Sequence, residues 1–95
     1  MSVYFVNKCS ICHECGMVIA VMLADGSLVA QCDECGKRYL EPESIGSALH
    51  GFIVTHPLDI HRAATLDDIT RLGWDRVPWE KCDTDISHYF PSMKR

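Results

Sequence analysis

From Met17 to Gln31 apolar side chains run almost without a break, with MVIAVML and LVAQ flanking the turn-forming stretch ADGS. Both runs are short and rich in β-branched residues, which predicts a strand, a turn and a strand. The Asp25-Gly26 pair carries the chemistry of a two-residue hairpin turn. A hairpin resting on solvent alternates apolar and polar positions, because successive side chains point to opposite faces. Here Met17, Ile19, Val21 and Leu23 make one apolar face, and Val18, Ala20 and Met22 make another. Leu28, Val29 and Ala30 continue the pattern in the second strand. One face should therefore pack against the C-terminal half, and the other against that half again or against another protein.

The clearest helical pattern is TLDDITRLGW. Thr65 is a good N-cap, Asp68 three residues later completes a capping box, and Asp67 and Asp68 sit at the positive end of the helix dipole. Leu66, Ile69 and Leu72 recur at threefold spacing and predict one apolar face. Gly73 can close the helix in a left-handed conformation, with Trp74 folding back on the last turn. A helix this short is unstable alone and must dock, and the apolar hairpin is the natural dock. Elsewhere, RYLEPESIGSAL predicts a short strand and a helical turn opening near Pro42, and GFIVT predicts another short strand. The pattern as a whole predicts an α+β fold: a small hairpin-based sheet with one or two short helices packed against it.

A chain of 95 residues is one small domain, close to the size at which a hydrophobic core alone is marginal. Aromatic residues are only 8% of it, so a staple is expected, and six cysteines are the obvious source. An even cysteine count also suits a secreted disulfide framework. MSVYFVNKCS, however, carries one lysine and too short an apolar run for an export signal, and no run approaches a membrane span. The expectation is a cytoplasmic chain, where thiols stay reduced and clustered cysteines bind metal.

The cysteines pair by likeness. CHECG (Cys12 to Gly16) and CDECG (Cys32 to Gly36) share the pattern C-x-E-C-G, with sixteen residues between Cys15 and Cys32. Two residues between cysteines let a tight turn aim both sulfurs at one ion, while backbone amides offset the thiolate charge. Glycine after the second cysteine lets the chain leave with a positive φ. Cys9 and Cys12 are also legally spaced, but His13 rather than glycine follows. The repeat thus selects Cys12, Cys15, Cys32 and Cys35 as metal ligands, and the intervening hairpin would bring Cys15 and Cys32 together at its open end.

Over about residues 7–40 the chain resembles a zinc ribbon, in which two C-x-x-C knuckles are joined through a β-hairpin. The resemblance implies a metal site rather than an activity. Many ribbon knuckles carry proline after the first cysteine, where His13 and Asp33 stand here. Residues 41–95 resemble no family and would form an α+β part packed on the ribbon, within a single 1–95 domain. Four cysteines leave no open coordination position, so the implied Zn2+ is one structural ion. Iron is the alternative, since rubredoxins use paired C-x-x-C-G knuckles and four thiolates suit both metals. Cys9 is left as a candidate reactive thiol, a substitute ligand or a pocket filler.

The formal charge is −4, and after residue 40 nine acidic residues face six basic ones. Phosphate-tracking surfaces need clustered Lys and Arg. The adjacent basic pairs here are Lys37-Arg38 and Lys94-Arg95, so nucleic acid is the weaker partner class. The five histidines form no H-E-x-x-H pair, and no phosphate loop or nucleophile motif is present. The reading is therefore a non-enzymatic protein-interaction module, one form being an acidic inhibitor of the immunity or antitoxin type. Trp79, Tyr89 and Phe90 are its candidate partner-binding residues, because tryptophan and tyrosine often anchor interfaces. The alternatives are a nucleic-acid-associated ribbon using Lys8, Lys37 and Arg38, and an iron or thiol redox protein. Oligomeric state is left open.

Overall fold

The apolar run around Met17–Gln31 becomes the middle of an antiparallel sheet. The computed structural model describes residues 2–7, 17–47, 49, 51–54 and 57–90, with the backbone alone for His88. Among these residues the strands are β1 (Val3–Val6), β2 (Val18–Leu23), β3 (Leu28–Cys32), β4 (Lys37–Tyr39), β5 (Phe52–Ile53), β6 (Ile60–Ala63) and β7 (Glu80–Cys82). The one α-helix, α1 (Leu66–Arg71), follows β6, and 3-10 turns occupy Pro42–Ser44 and Ile86–His88. Among the described residues the fold is thus mostly β, a seven-stranded sheet with a single short helix. No helix among the described residues is long and apolar enough to cross a membrane.

The sheet runs β5-β4-β3-β2-β1-β7, and β6 also pairs with β2. Every pairing is antiparallel. One edge of β2 is shared between two partners: β1 meets its first half at Val18 and Ile19, and β6 meets its second half from Val21 to Leu23. β2 has no polar face because a core cluster covers each side of the sheet. Val18, Ala20 and Met22 join Leu28, Ala30, Tyr39, Ile69 and Trp74 in one core cluster. Ile19 and Val21 join Val3, Val29, Ile60, Ile86 and Phe90 in a second, on the other face. Of the two covers open to the hairpin, the chain supplies both itself.

Several local expectations are met by the expected chemistry. Thr65 and Asp68 form a reciprocal capping box, with the Asp68 N–H donating to Thr65 Oγ1 at 3.1 Å and the Thr65 N–H to Asp68 Oδ2 at 2.9 Å. At the other end Gly73 has φ +81°, the Trp74 N–H donates to the Ile69 carbonyl at 2.9 Å, and the Gly73 N–H to that of Thr70 at 3.3 Å. This is the Schellman arrangement, and it turns Trp74 into the first core cluster.

Three expectations need correction. The hairpin loop has three residues rather than two. The Leu23 N–H reaches Ser27 O at 2.8 Å and the Gly26 N–H returns to Leu23 O at 3.0 Å, with Gly26 alone at positive φ. A two-residue type I′ turn needs two residues there, whereas Asp25 accepts from the Ser27 N–H at 2.9 Å and stays at negative φ. Second, the helix buries Ile69, but Leu66 is 58% and Leu72 37% exposed. Of its six residues only Asp68 and Ile69 are buried, so Ile69 is its one buried apolar side chain, and Trp74 joins it in the first core cluster. Third, β1, β6 and β7 add strands beyond those expected: VYFV of β1 is strand-like in composition, whereas IHRA of β6 and EKC of β7 are not, so the sheet is larger and the helical share smaller.

Candidate metal centre

Because β1, β2, β3 and β4 are successive antiparallel neighbours, the β1–β2 and β3–β4 connections open at the same end of the sheet. The register makes this concrete. Val6, the last residue of β1, pairs with Val18 at the start of β2, and Val18 pairs with Cys32 at the end of β3. The three side chains lie in one row and share the first core cluster. Cys32 is buried, and Cys35 packs half-buried against the same cluster. Between them the chain turns tightly, with the Gly36 N–H donating to Cys32 O at 3.2 Å and Gly36 at φ +79°. The glycine after the second knuckle thus has the conformation its position requires.

Asp33 fastens the two connections to each other. Its carboxylate Oδ1 accepts from the Met17 N–H at 2.9 Å, and its own N–H donates to Met17 O at 3.0 Å. This pair of hydrogen bonds holds Met17, the second residue after Cys15 in sequence, against Asp33. Asp33 stands where many ribbons have proline, and a proline would have neither the N–H nor the carboxylate of this latch. Cys9, Cys12 and Cys15 lie outside the described residues. Among the described residues no three His, Cys, Asp or Glu side chains gather in a group able to hold a metal ion.

Cys82 lies on the opposite face. It pairs with Val3 and packs against the second cluster, away from Cys32 and Cys35. Tyr89 Oη donates to Cys82 Sγ at 3.7 Å. That bond, followed by burial and by the charges of Cys82 and Asp33, holds the Tyr89 hydroxyl above its usual pKa.

The aromatic residues grouped by the sequence are divided by the sheet. Trp79 packs on the first cluster, its Nε1 donating to Trp74 O at 2.9 Å and its ring tilted 38° to that of Trp74, with centroids 6.4 Å apart. Tyr89 and Phe90 belong with the second cluster, where Phe90 is buried. The three do not share one face.

The basic pair beside the knuckle is turned inward. Lys37 is 6% and Arg38 4% exposed. Lys37 Nζ lies 5.6 Å from the centre of the Tyr39 ring, and Arg38 grips Asp59 through both terminal nitrogens, at 2.7 and 2.8 Å. Arg38 Nε also donates to Gln31 Oε1 at 2.7 Å, and Gln31 Nε2 to Val54 O at 3.2 Å. This polar network was illegible in sequence because its members lie up to 28 residues apart on β3, β4 and two loops. Comparison with family models, with curated proteins and with solved structures gave no match.

Proposed function

We propose that this chain is a non-enzymatic protein-interaction module stapled by one structural zinc ion held by Cys12, Cys15, Cys32 and Cys35. The observation that carries the metal reading is the common sheet end, where Val6, Val18 and Cys32 align and Asp33 latches Met17. Val6 and Met17, which flank the first cysteine segment, are thereby held beside Cys32 and Asp33, and this supports a four-thiolate site. Such an ion is part of the folding energy, on the order of 10–16 kcal/mol of apparent binding for structural zinc. In a small domain that is a decisive contribution.

The interaction reading rests on the acidic balance of −4 and on large apolar side chains exposed around β5. An acidic inhibitor covering a basic surface is its most specific form. The nucleic-acid alternative loses support, since Lys37 and Arg38 are buried and engaged rather than presented to phosphate.

Elemental analysis of the purified protein tests the metal: one zinc per chain is expected, and a coloured iron protein or a metal-free folded protein would overturn it. Cys32→Ser and Cys35→Ser should each lose the ion and unfold the chain, whereas Cys82→Ser should retain it. Copurification from the native source tests the partner, and a monomer that retains no protein would count against the module.

A further inference from the structure

The two edges of the sheet are dressed differently. β7 presents Glu80 and Lys81, charges that discourage strand-on-strand association. β5 presents Phe52 and Ile53, 49% and 53% exposed. Leu40, just past the end of β4, lies on the same side of the sheet as Phe52, and both border a shallow groove completed by Glu41, Ser44 and Gly51.

The backbone of this edge is held ready. The Val54 N–H donates to Gly36 O at 2.8 Å, and Val54 O accepts from Gln31 Nε2. In an antiparallel ladder inward-bonded positions alternate with outward-facing ones. With Phe52 opposite Arg38 and Val54 bonded to Gly36, the N–H and C=O of Ile53 face away from β4. Gly51 keeps the strand close: a Cβ there would stand 2.3 Å from Arg38 O.

Charge selects the occupant. Lys37 and Arg38 are turned inside, so the groove's own charge is the exposed carboxylate of Glu41, and Glu43 stands next to it paired with Arg76. A second copy would bring its own Glu41 carboxylate to the shared edge, whereas a basic residue on another protein meets Glu41 with opposite sign. We propose that the β5 edge receives an extended segment of a partner protein, apolar at alternate positions and flanked by Lys or Arg, as an added strand. Main-chain bonds to Ile53 would supply attachment, and the Leu40–Phe52 groove would take one side chain of the segment. This rests on the interaction-module reading but not on the zinc.

The test uses the whole protein as purified and two labelled synthetic peptides, an alternating Val-Thr core flanked by lysines and the same core flanked by glutamates. Fluorescence anisotropy should show the lysine peptide binding at least about tenfold more tightly, with affinity falling as salt rises. Ile53→Pro removes the outward donor while leaving the inward bonds of Phe52 and Val54, a place where an edge strand tolerates proline. It should weaken binding about tenfold or more at an unchanged melting temperature. If that variant fails to fold, Ile53→Lys should show the same loss by repelling the basic peptide. Equal binding of the two peptides, no binding of either, or a wild-type dimer that Ile53→Lys splits would each overturn the proposal. A copurified partner that still binds Ile53→Lys would overturn this edge while leaving the module reading intact.

Discussion

Arg38 and Asp59 meet fork to fork, with two N–H···O contacts of 2.7 and 2.8 Å joining β4 to the segment that leads into β6. The arginine is almost wholly buried while the aspartate is half exposed. The Asp59 backbone also takes part, its carbonyl accepting from the Ala24 N–H at 2.9 Å. The pair therefore fastens β4, the hairpin loop and the start of β6 together. Removing the carboxylate strands a guanidinium in the interior, which costs more than the pair itself contributes. Asp59→Ala should destabilise by about 2–3 kcal/mol, toward the low end for a broken buried pair because Asp59 keeps water contact. Urea unfolding checks this, and Asp59→Asn should fall between the two.

Asp68 should govern acid sensitivity. Its carboxylate is buried and is held well below the usual range, first by Arg62 at 2.6 Å, then by the Thr65 N–H, with Thr65 Oγ1 and Arg71 adding to this. Folding lowers this pKa, so its stabilisation is complete above the ordinary value of 3.8 and is lost as pH falls below it. Asp68→Ala removes both the cap and the ion pairs and should cost about 2–3 kcal/mol. That is a fall of roughly 10–20 °C in melting temperature for a chain of this size. The variant should also lose less stability than the wild type between pH 4 and pH 2.

Two glycines at similar φ should respond differently to alanine. Gly26 at +89° faces open space, so Gly26→Ala meets backbone strain alone and should cost about 1 kcal/mol. Gly51 at +87° has the Arg38 carbonyl 2.3 Å from any added Cβ. Gly51→Ala must push β5 from β4 and should cost at least about 2 kcal/mol. Hydrogen exchange at the Val54 amide, which is bonded to Gly36 O, reports that separation directly.

Tyr89 should add an alkaline limb to stability. Its folded pKa is raised, so the neutral hydroxyl's contribution is present below the ordinary value of 10.0 and is lost as pH rises above it. Tyr89→Phe should flatten that limb and leave metal content unchanged, as read by denaturation at pH 9 and pH 11.

Local chemistry was readable from the chain itself. The β2–β3 hairpin, the Thr65–Asp68 box, the Gly73 exit into Trp74 and the positive φ of Gly36 each depend on residues a few positions apart, so their signals are contiguous. The likeness of CDECG to CHECG drew attention to Cys32 and Cys35, which pack together at the first core cluster. What the sequence left open was what covers the second face of β2, since a doubly apolar strand asks for cover without naming it. Only the tertiary structure decided that β1 and β6 share one edge of β2, that Phe90 and Ile86 seal the far face, and that Lys37 and Arg38 turn inward. Those outcomes hang on contacts between distant segments, where burial and ion pairing outweigh local pattern. For the same reason an exposed Phe52 and Ile53 were invisible in GFIVT: an apolar strand reads alike at the centre of a sheet and at its edge.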